Sequence, residues 1–181
     1  MTSRIAPAQP PFSPAIQSSL DQLMRGAPPL TLFTTLARDE RLFGKFFSAS
    51  LLDKGRLSLR QRELVIDRIT ARGGSEYEWG VHIAIFAEKA GLTPAQIHAT
   101  VHDEADAACW NEAERALLQA CDALHDNCTL DAEQWQSLRA HYEDEAILEI
   151  IMLAGFYRTV SYLTNALALP LEAFAPRFPA K

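Results

Sequence analysis

Gly73-Gly74 separates two stretches that read as helices from cap to cap, and a chain punctuated in this way is constrained to build from α-helices. Ahead of the diglycine, Ser58 with Gln61 three residues on forms a capping box, in which the hydroxyl takes a backbone N–H and the amide side chain reaches back. The helix predicted from Ser58 runs to Arg72 and stops at the glycines, which tolerate the left-handed conformation that closes helices. Beyond them, Ser75 with Glu78 opens a second helix, predicted to Ala90 and ended by Gly91. The same grammar recurs at Thr93 with Pro94 and Gln96, at Asn111 with Glu114, and at Asp131 with Gln134. A long helix, apolar nearly all round, is predicted from near Asp144 to Pro170. Toward the N-terminus, Phe12 to Arg25 and Leu30 to Leu52 read as helices broken by Pro28-Pro29. No Asn-Gly or Asp-Gly hairpin and no sustained period-two alternation occurs, so the predicted fold class is all-α, and a parallel sheet with a phosphate-cradling loop is excluded.

The 181 residues, 48% of them hydrophobic, suffice for one well-buried domain and are short for two. The organisation predicted is a flexible N-terminal arm over residues 1–15 and a single helical domain over 16–181. With 23 acidic against 17 basic side chains, the chain offers no surface for nucleic acid or an anionic membrane. The most apolar stretch, AILEIIMLAGFY, is interrupted by Glu149 and followed by Arg158, which favours a buried helix over a membrane span. The N-terminal segment lacks the continuous apolar core of a secretory signal. Cys109, Cys121 and Cys128 form no Cys-x-x-Cys and leave an odd one over, so reduced thiols and a cytoplasmic setting are expected.

Chemistry concentrates in RELVIDRITARGGSEYEWGVH. Glu63 lies four residues after Leu59 and three before Ile66, in line with an apolar stripe, and reads either as a buried acid or as a surface acid paired with Arg60 or Arg62. Glu78 and His82 are one turn apart, so the carboxylate can orient the imidazole and the pair can shuttle a proton. Helix capping would equally account for Glu78, and a satisfied core histidine for His82. Tyr77 and Trp79 flank the acid and can wall a pocket, while Arg72 and Arg158 can hold a substrate carboxylate. Two glutamates and one histidine without a second histidine at ligand spacing make a poor metal site, so no metal is expected.

The run resembles the carboxymuconolactone decarboxylase and alkylhydroperoxidase D superfamily, whose peroxidase branch places a glutamate, a Cys-x-x-Cys pair and then a histidine. Glu63 and His82 match the acid and the imidazole, while Ser75 and Glu78 stand at the cysteine positions. A serine and a carboxylate cannot cycle through a disulfide, so the motif resembles the decarboxylase-type branch. APPLTLFTTLARDERLF and WNEAERALLQACDAL extend the likeness from about Leu20 to Arg177.

The resemblance implies a helical bundle built on a hairpin, a homo-oligomer (a trimer or a hexamer of trimers), and a cofactor-free enzyme. Its substrate would be a small lactone or unsaturated carboxylate, decarboxylated or isomerised with Glu63, Glu78 and His82 moving the protons. Two other functions are consistent with the residues: a non-catalytic binding or scaffold protein, and a peroxidase-like enzyme using Cys109, Cys121 or Cys128.

Overall fold

The computed structural model describes residues 3–181 and is helical throughout, with no strand among the described residues. The helices are α1 Pro14–Met24, α2 Thr31–Leu36, α3 Glu40–Ser48, α4 Leu59–Arg72, α5 Glu76–Phe86, α6 Pro94–His102, α7 Glu112–Asn127, α8 Ala132–Arg139 and α9 Asp144–Ala166. Reciprocal capping boxes are present at Ser58/Gln61, Thr93/Gln96, Asn111/Glu114 and Asp131/Gln134, so local side-chain chemistry sets these helix starts as the sequence predicts. At Ser75 only half of the box forms: the hydroxyl accepts from Glu78 N, and the Glu78 carboxylate does not return to the cap.

Three boundaries differ from expectation. The predicted Leu30–Leu52 helix is divided, because Asp39 takes an extended backbone and its carboxylate accepts from Leu42 N at 2.9 Å, starting α3 afresh. α5 gives way to turns after Phe86, before Gly91 closes the segment with φ +67°. α9 stops at Ala166 rather than at Pro170, where Ala168 turns left-handed and Leu169 N bonds to Thr164 O.

α4 is the axis of the molecule, in contact with α5, α6, α7 and α9. Every residue from Glu63 to Thr70 is buried, which brings three charged side chains inside with Leu64, Val65, Ile66 and Ile69. Arg68 is compensated by a two-pronged contact with Asp122, both bonds 2.7 Å, and its remaining nitrogen donates to the carbonyls of Ala99, Thr100 and Asp103. One guanidinium thus binds α7 and satisfies the carbonyls that end α6. α9 meets the length and apolarity of a bilayer span, with a mean hydropathy of 1.4, but its inner face is buried against the bundle through Ile147, Ile150, Leu153 and Tyr157.

α1 to α3 form a small core of their own, in which Ile16, Leu20 and Phe43 meet Phe33 and Phe47. They sit over the α5 and α9 side of the bundle as a cap. Described residues near both termini are fastened to the body. The segment expected as a free arm bonds through Arg4 N to Leu167 O at 2.8 Å and through Ala8 N to Thr34 O at 2.9 Å; Met1 and Thr2, also part of that expectation, lie outside the described residues. At the other end Phe178 stacks edge-on to Trp79 with centroids 5.2 Å apart, and its N–H donates to Glu76 at 3.0 Å.

Gly80 lets this tail lie against α5, since a Cβ there would collide with the Pro176 carbonyl. Gly80→Ala is therefore expected to lower stability by about 1–3 kcal/mol, overpacking outweighing the better helix propensity of alanine. Urea titration reads the loss, and faster amide exchange over 170–181 locates it.

Candidate active site

α4 and α5, joined through the diglycine, bring Glu63 and His82 together across the hairpin. His82 Nδ1 lies 2.7 Å from Glu63 Oε2, with the two residues 4% and 1% exposed. The second Glu63 oxygen accepts from Arg62 Nε at 3.0 Å and Nη2 at 2.9 Å. Both sequence readings of Glu63 are thus partly right: the acid is buried and Arg62 is its partner, whereas Arg60 turns to Glu114 at 2.6 Å. On the far edge of the ring, His82 Nε2 is 3.1 Å from the Tyr157 hydroxyl and 3.5 Å from Glu78 Oε1. Glu78 Oε2 is buried and has no hydrogen-bond partner. Capping therefore does not account for Glu78, and an apolar core does not account for His82.

Burial alone would lower the His82 pKa, but the hydrogen bonds to Glu63 and Glu78 outweigh it and push the value up to about 10. The imidazole is a cation at neutral pH, with one N–H directed to Glu63 and the other to the Tyr157 and Glu78 oxygens. Asp67, one turn beyond Glu63 on α4, is wholly buried with Oδ1 unpartnered; burial, and then the Glu63 charge, hold its carboxyl well above the usual range. Burial likewise keeps the Tyr157 phenol protonated.

Glu78, His82 and Tyr157 open onto a cavity of about 600 Å³ between the α1–α3 cap and the bundle. Its wall is mostly apolar, with Phe33, Phe46, Phe86 and Phe156 prominent, and no lysine or arginine lines it. Glu63 and Glu78 contact opposite edges of the imidazole, an arrangement that does not converge on one cation, and no cluster of three His, Cys, Asp or Glu side chains suited to a metal occurs among the described residues.

The other expected site residues lie elsewhere, for reasons of helical angle. Tyr77 and Trp79 are each about 100° round α5 from Glu78. The Tyr77 hydroxyl donates to the Glu172 carboxylate and accepts from Leu32 N at 3.1 Å, tying the cap to the tail without facing the cavity. Trp79 points to α6, where Nε1 donates to Thr100 at 3.0 Å. Arg72, nine residues from Glu63 and so on the opposite face of α4, pairs with Asp126 at 2.6 Å on the α7 side. Arg158 stands one position past Tyr157 and turns outward to Tyr162 Oη at 2.7 Å and the His125 carbonyl. Neither arginine can bind a substrate in the cavity. Cys121 is sealed in the core, where burial pushes its thiol up; neither it, half-buried Cys109 nor exposed Cys128 reaches the cavity.

Sequence reasoning missed Tyr157, Asp67 and Glu172. The i+4 spacing from Glu63 was available for Asp67, and the polar interruption of an apolar helix for Tyr157; nothing in the tail marks Glu172.

A buried acid and a histidine facing each other across a diglycine hairpin, inside an all-helical bundle, define an alkylhydroperoxidase D-like helical protein. Residues 40–122 match the Carboxymuconolactone decarboxylase family. The matched segment holds Glu63, Glu78 and His82, whereas Tyr157 and Glu172 fall beyond it. Among solved structures, an uncharacterized peroxidase-related protein from Silicibacter sp. TM1040 aligns with a TM-score of 0.83 at 19% identity, over 98% of this chain and 96% of its own. A second peroxidase-related protein, from Ralstonia eutropha JMP134, gives 0.78 at 18% identity over 93% of each chain. The debrominase Bmp8 in complex with 2,3,4-tribromopyrrole gives 0.74 at 21% identity, over 96% of this chain and 94% of its own. No curated protein sequence matches the chain.

His82 binds its proton more tightly folded than unfolded, so its contribution to stability is complete below pH 6.5 and is lost as the pH rises through about 10. His82→Gln is expected to cost about 3 kcal/mol near neutral pH, the scale for breaking a buried pair. In denaturant titrations the gap from wild type should narrow toward pH 10; a gap independent of pH would show the ring to be neutral.

Proposed function

We propose that the protein is a thiol-independent acid–base enzyme of the decarboxylase-type branch, moving a proton on a small, ring-sized unsaturated carbonyl compound or lactone. The observation that carries this reading is the unpartnered Glu78 oxygen beside a cationic His82 at the wall of an apolar cavity. Glu78 is the proton acceptor. His82 Nε2 and the Tyr157 hydroxyl are the donors that meet charge developing on the substrate carbonyl, and they work in a water-poor site where such contacts are strongest. Glu63, held by Arg62, fixes the ring and keeps it charged. No step calls for a redox cofactor.

Loss of carbon dioxide and isomerisation both pass through an enolate-like species, and the two differ in what must be bound. A substrate carboxylate would lie near Glu78 and Glu172 with no arginine or lysine in the wall, so isomerisation of an uncharged substrate suits the cavity better. The complex of Bmp8 with a small substituted ring supports a ring-sized ligand for this fold. Peroxidase chemistry, which the peroxidase-related neighbours suggest, lacks a cysteine in this wall. The reading includes a homo-oligomer, supported by exposed Leu148 and Met152 on α9, and a cytoplasmic setting, supported by three unpaired cysteines.

Incubation with a panel of lactones and cyclic enones in heavy water tests it, with deuterium uptake by mass spectrometry and carbon dioxide release followed together. Uptake should appear with wild type, fall at least about 100-fold in Glu78→Gln and His82→Gln, and survive alkylation of the thiols. Absence of both signals across the panel would leave a binding or scaffold protein.

A further inference from the structure

The Glu78 carboxylate is asymmetric in a way that specifies what the cavity holds. Its charge is already met: Oε1 faces the His82 cation at 3.5 Å, while Glu63 is met by Arg62. What remains unmet is a lone pair, on Oε2, in a side chain only 7% exposed that lines the cavity. A buried carboxylate left short of donors is costly, and a ligand donor that reaches the Glu78 carboxylate recovers that cost. The other carboxylate in the wall, Glu172, already accepts from Thr31 N at 2.6 Å and from the Tyr77 hydroxyl. An anionic ligand finds no lysine or arginine in the wall, and a cationic one finds the Glu78 charge already balanced by His82. The phenylalanines of the cap and of α5 and α9 offer faces to a flat apolar body.

We propose that the cavity selects an uncharged ring compound bearing one acidic hydroxyl, an enol or a phenol-like group, which donates to the Glu78 carboxylate. This deepens the acid–base reading and rests on it for the chemistry: the enzyme is then a tautomerase of enols. The enol O–H bond breaks as its proton passes to Glu78, the electron pair collapses to the carbonyl, whose oxygen His82 Nε2 and the Tyr157 hydroxyl face, and Glu78 then hands the proton to the ring carbon to form a C–H bond. Glu78 ends the cycle ionised and His82 ends it protonated, as each began, so the cycle neither gains nor loses atoms or electrons.

Binding rather than turnover tests the specificity, using titration calorimetry of the full chain with phenol, anisole and benzoate. Phenol should bind about tenfold tighter than anisole, whose methyl group removes the donor, and benzoate should bind more weakly than either. Glu78→Leu should erase the phenol advantage while anisole binds as before. Glu78→Gln, which keeps an uncharged acceptor and nearly the same volume, should reduce the advantage without erasing it, and it serves if the leucine variant fails to fold. Anisole equal to phenol, benzoate binding tightest, an undiminished phenol preference in both variants, or no binding by any of the three would overturn the proposal. A phenol preference with no deuterium exchange on any lactone would sustain the selectivity and remove the enzymatic reading, so the two fail separately.

Discussion

The 2.7 Å contact between Glu63 and His82 joins the two helices on which everything else is arranged. A carboxylate and an imidazolium at this depth each need an oppositely charged, hydrogen-bonded partner, and each serves the other here. The pair draws in Arg62 on one side and Tyr157 with Glu78 on the other, so a single line of polar groups crosses the interior from the α4 surface to the cavity. Asp67, close to that line, is wholly buried, and burial followed by the Glu63 charge holds its carboxyl well above the usual range.

Around this line the molecule divides its labour. α4 carries the framework charges, and Arg68 with Asp122 fastens α6 and α7 to it. α5 carries the groups that face the cavity. The N-terminal cap adds the apolar wall and has its own small core, so cavity shape depends on how α1 to α3 rest on the bundle. Tyr77 and Glu172, first met as a pocket wall and an unremarked tail residue, hold the cap and the tail together at the cavity's edge. The buried polar groups thus lie on α4, α5 and α9, while much of the cavity's apolar wall comes from the N-terminal cap and the tail.

Much of this was readable from local spacing. The capping residues marked four helix starts correctly, since a cap and its partner lie three residues apart and need nothing from the rest of the fold. Glu78 and His82 were paired by one helical turn, and the resemblance to a known motif added Glu63. Periodicity misled where it was asked about direction beyond one helix. Tyr77, Trp79, Arg72 and Arg158 lie near the site in sequence or suit it by chemical type, yet each points to a different neighbour.

By itself the sequence determined the all-helical class, most helix boundaries, and the acid and histidine on adjoining helices, because these follow from interactions within a few residues. Only the tertiary structure decided that Tyr157, 75 residues away, meets His82. It alone decided that Glu78 keeps a free oxygen, that the arginines turn outward, and that cap and tail enclose an apolar cavity. These depend on which faces pack together and how burial shifts charge, and neither quantity is carried by the spacing of residues along one helix.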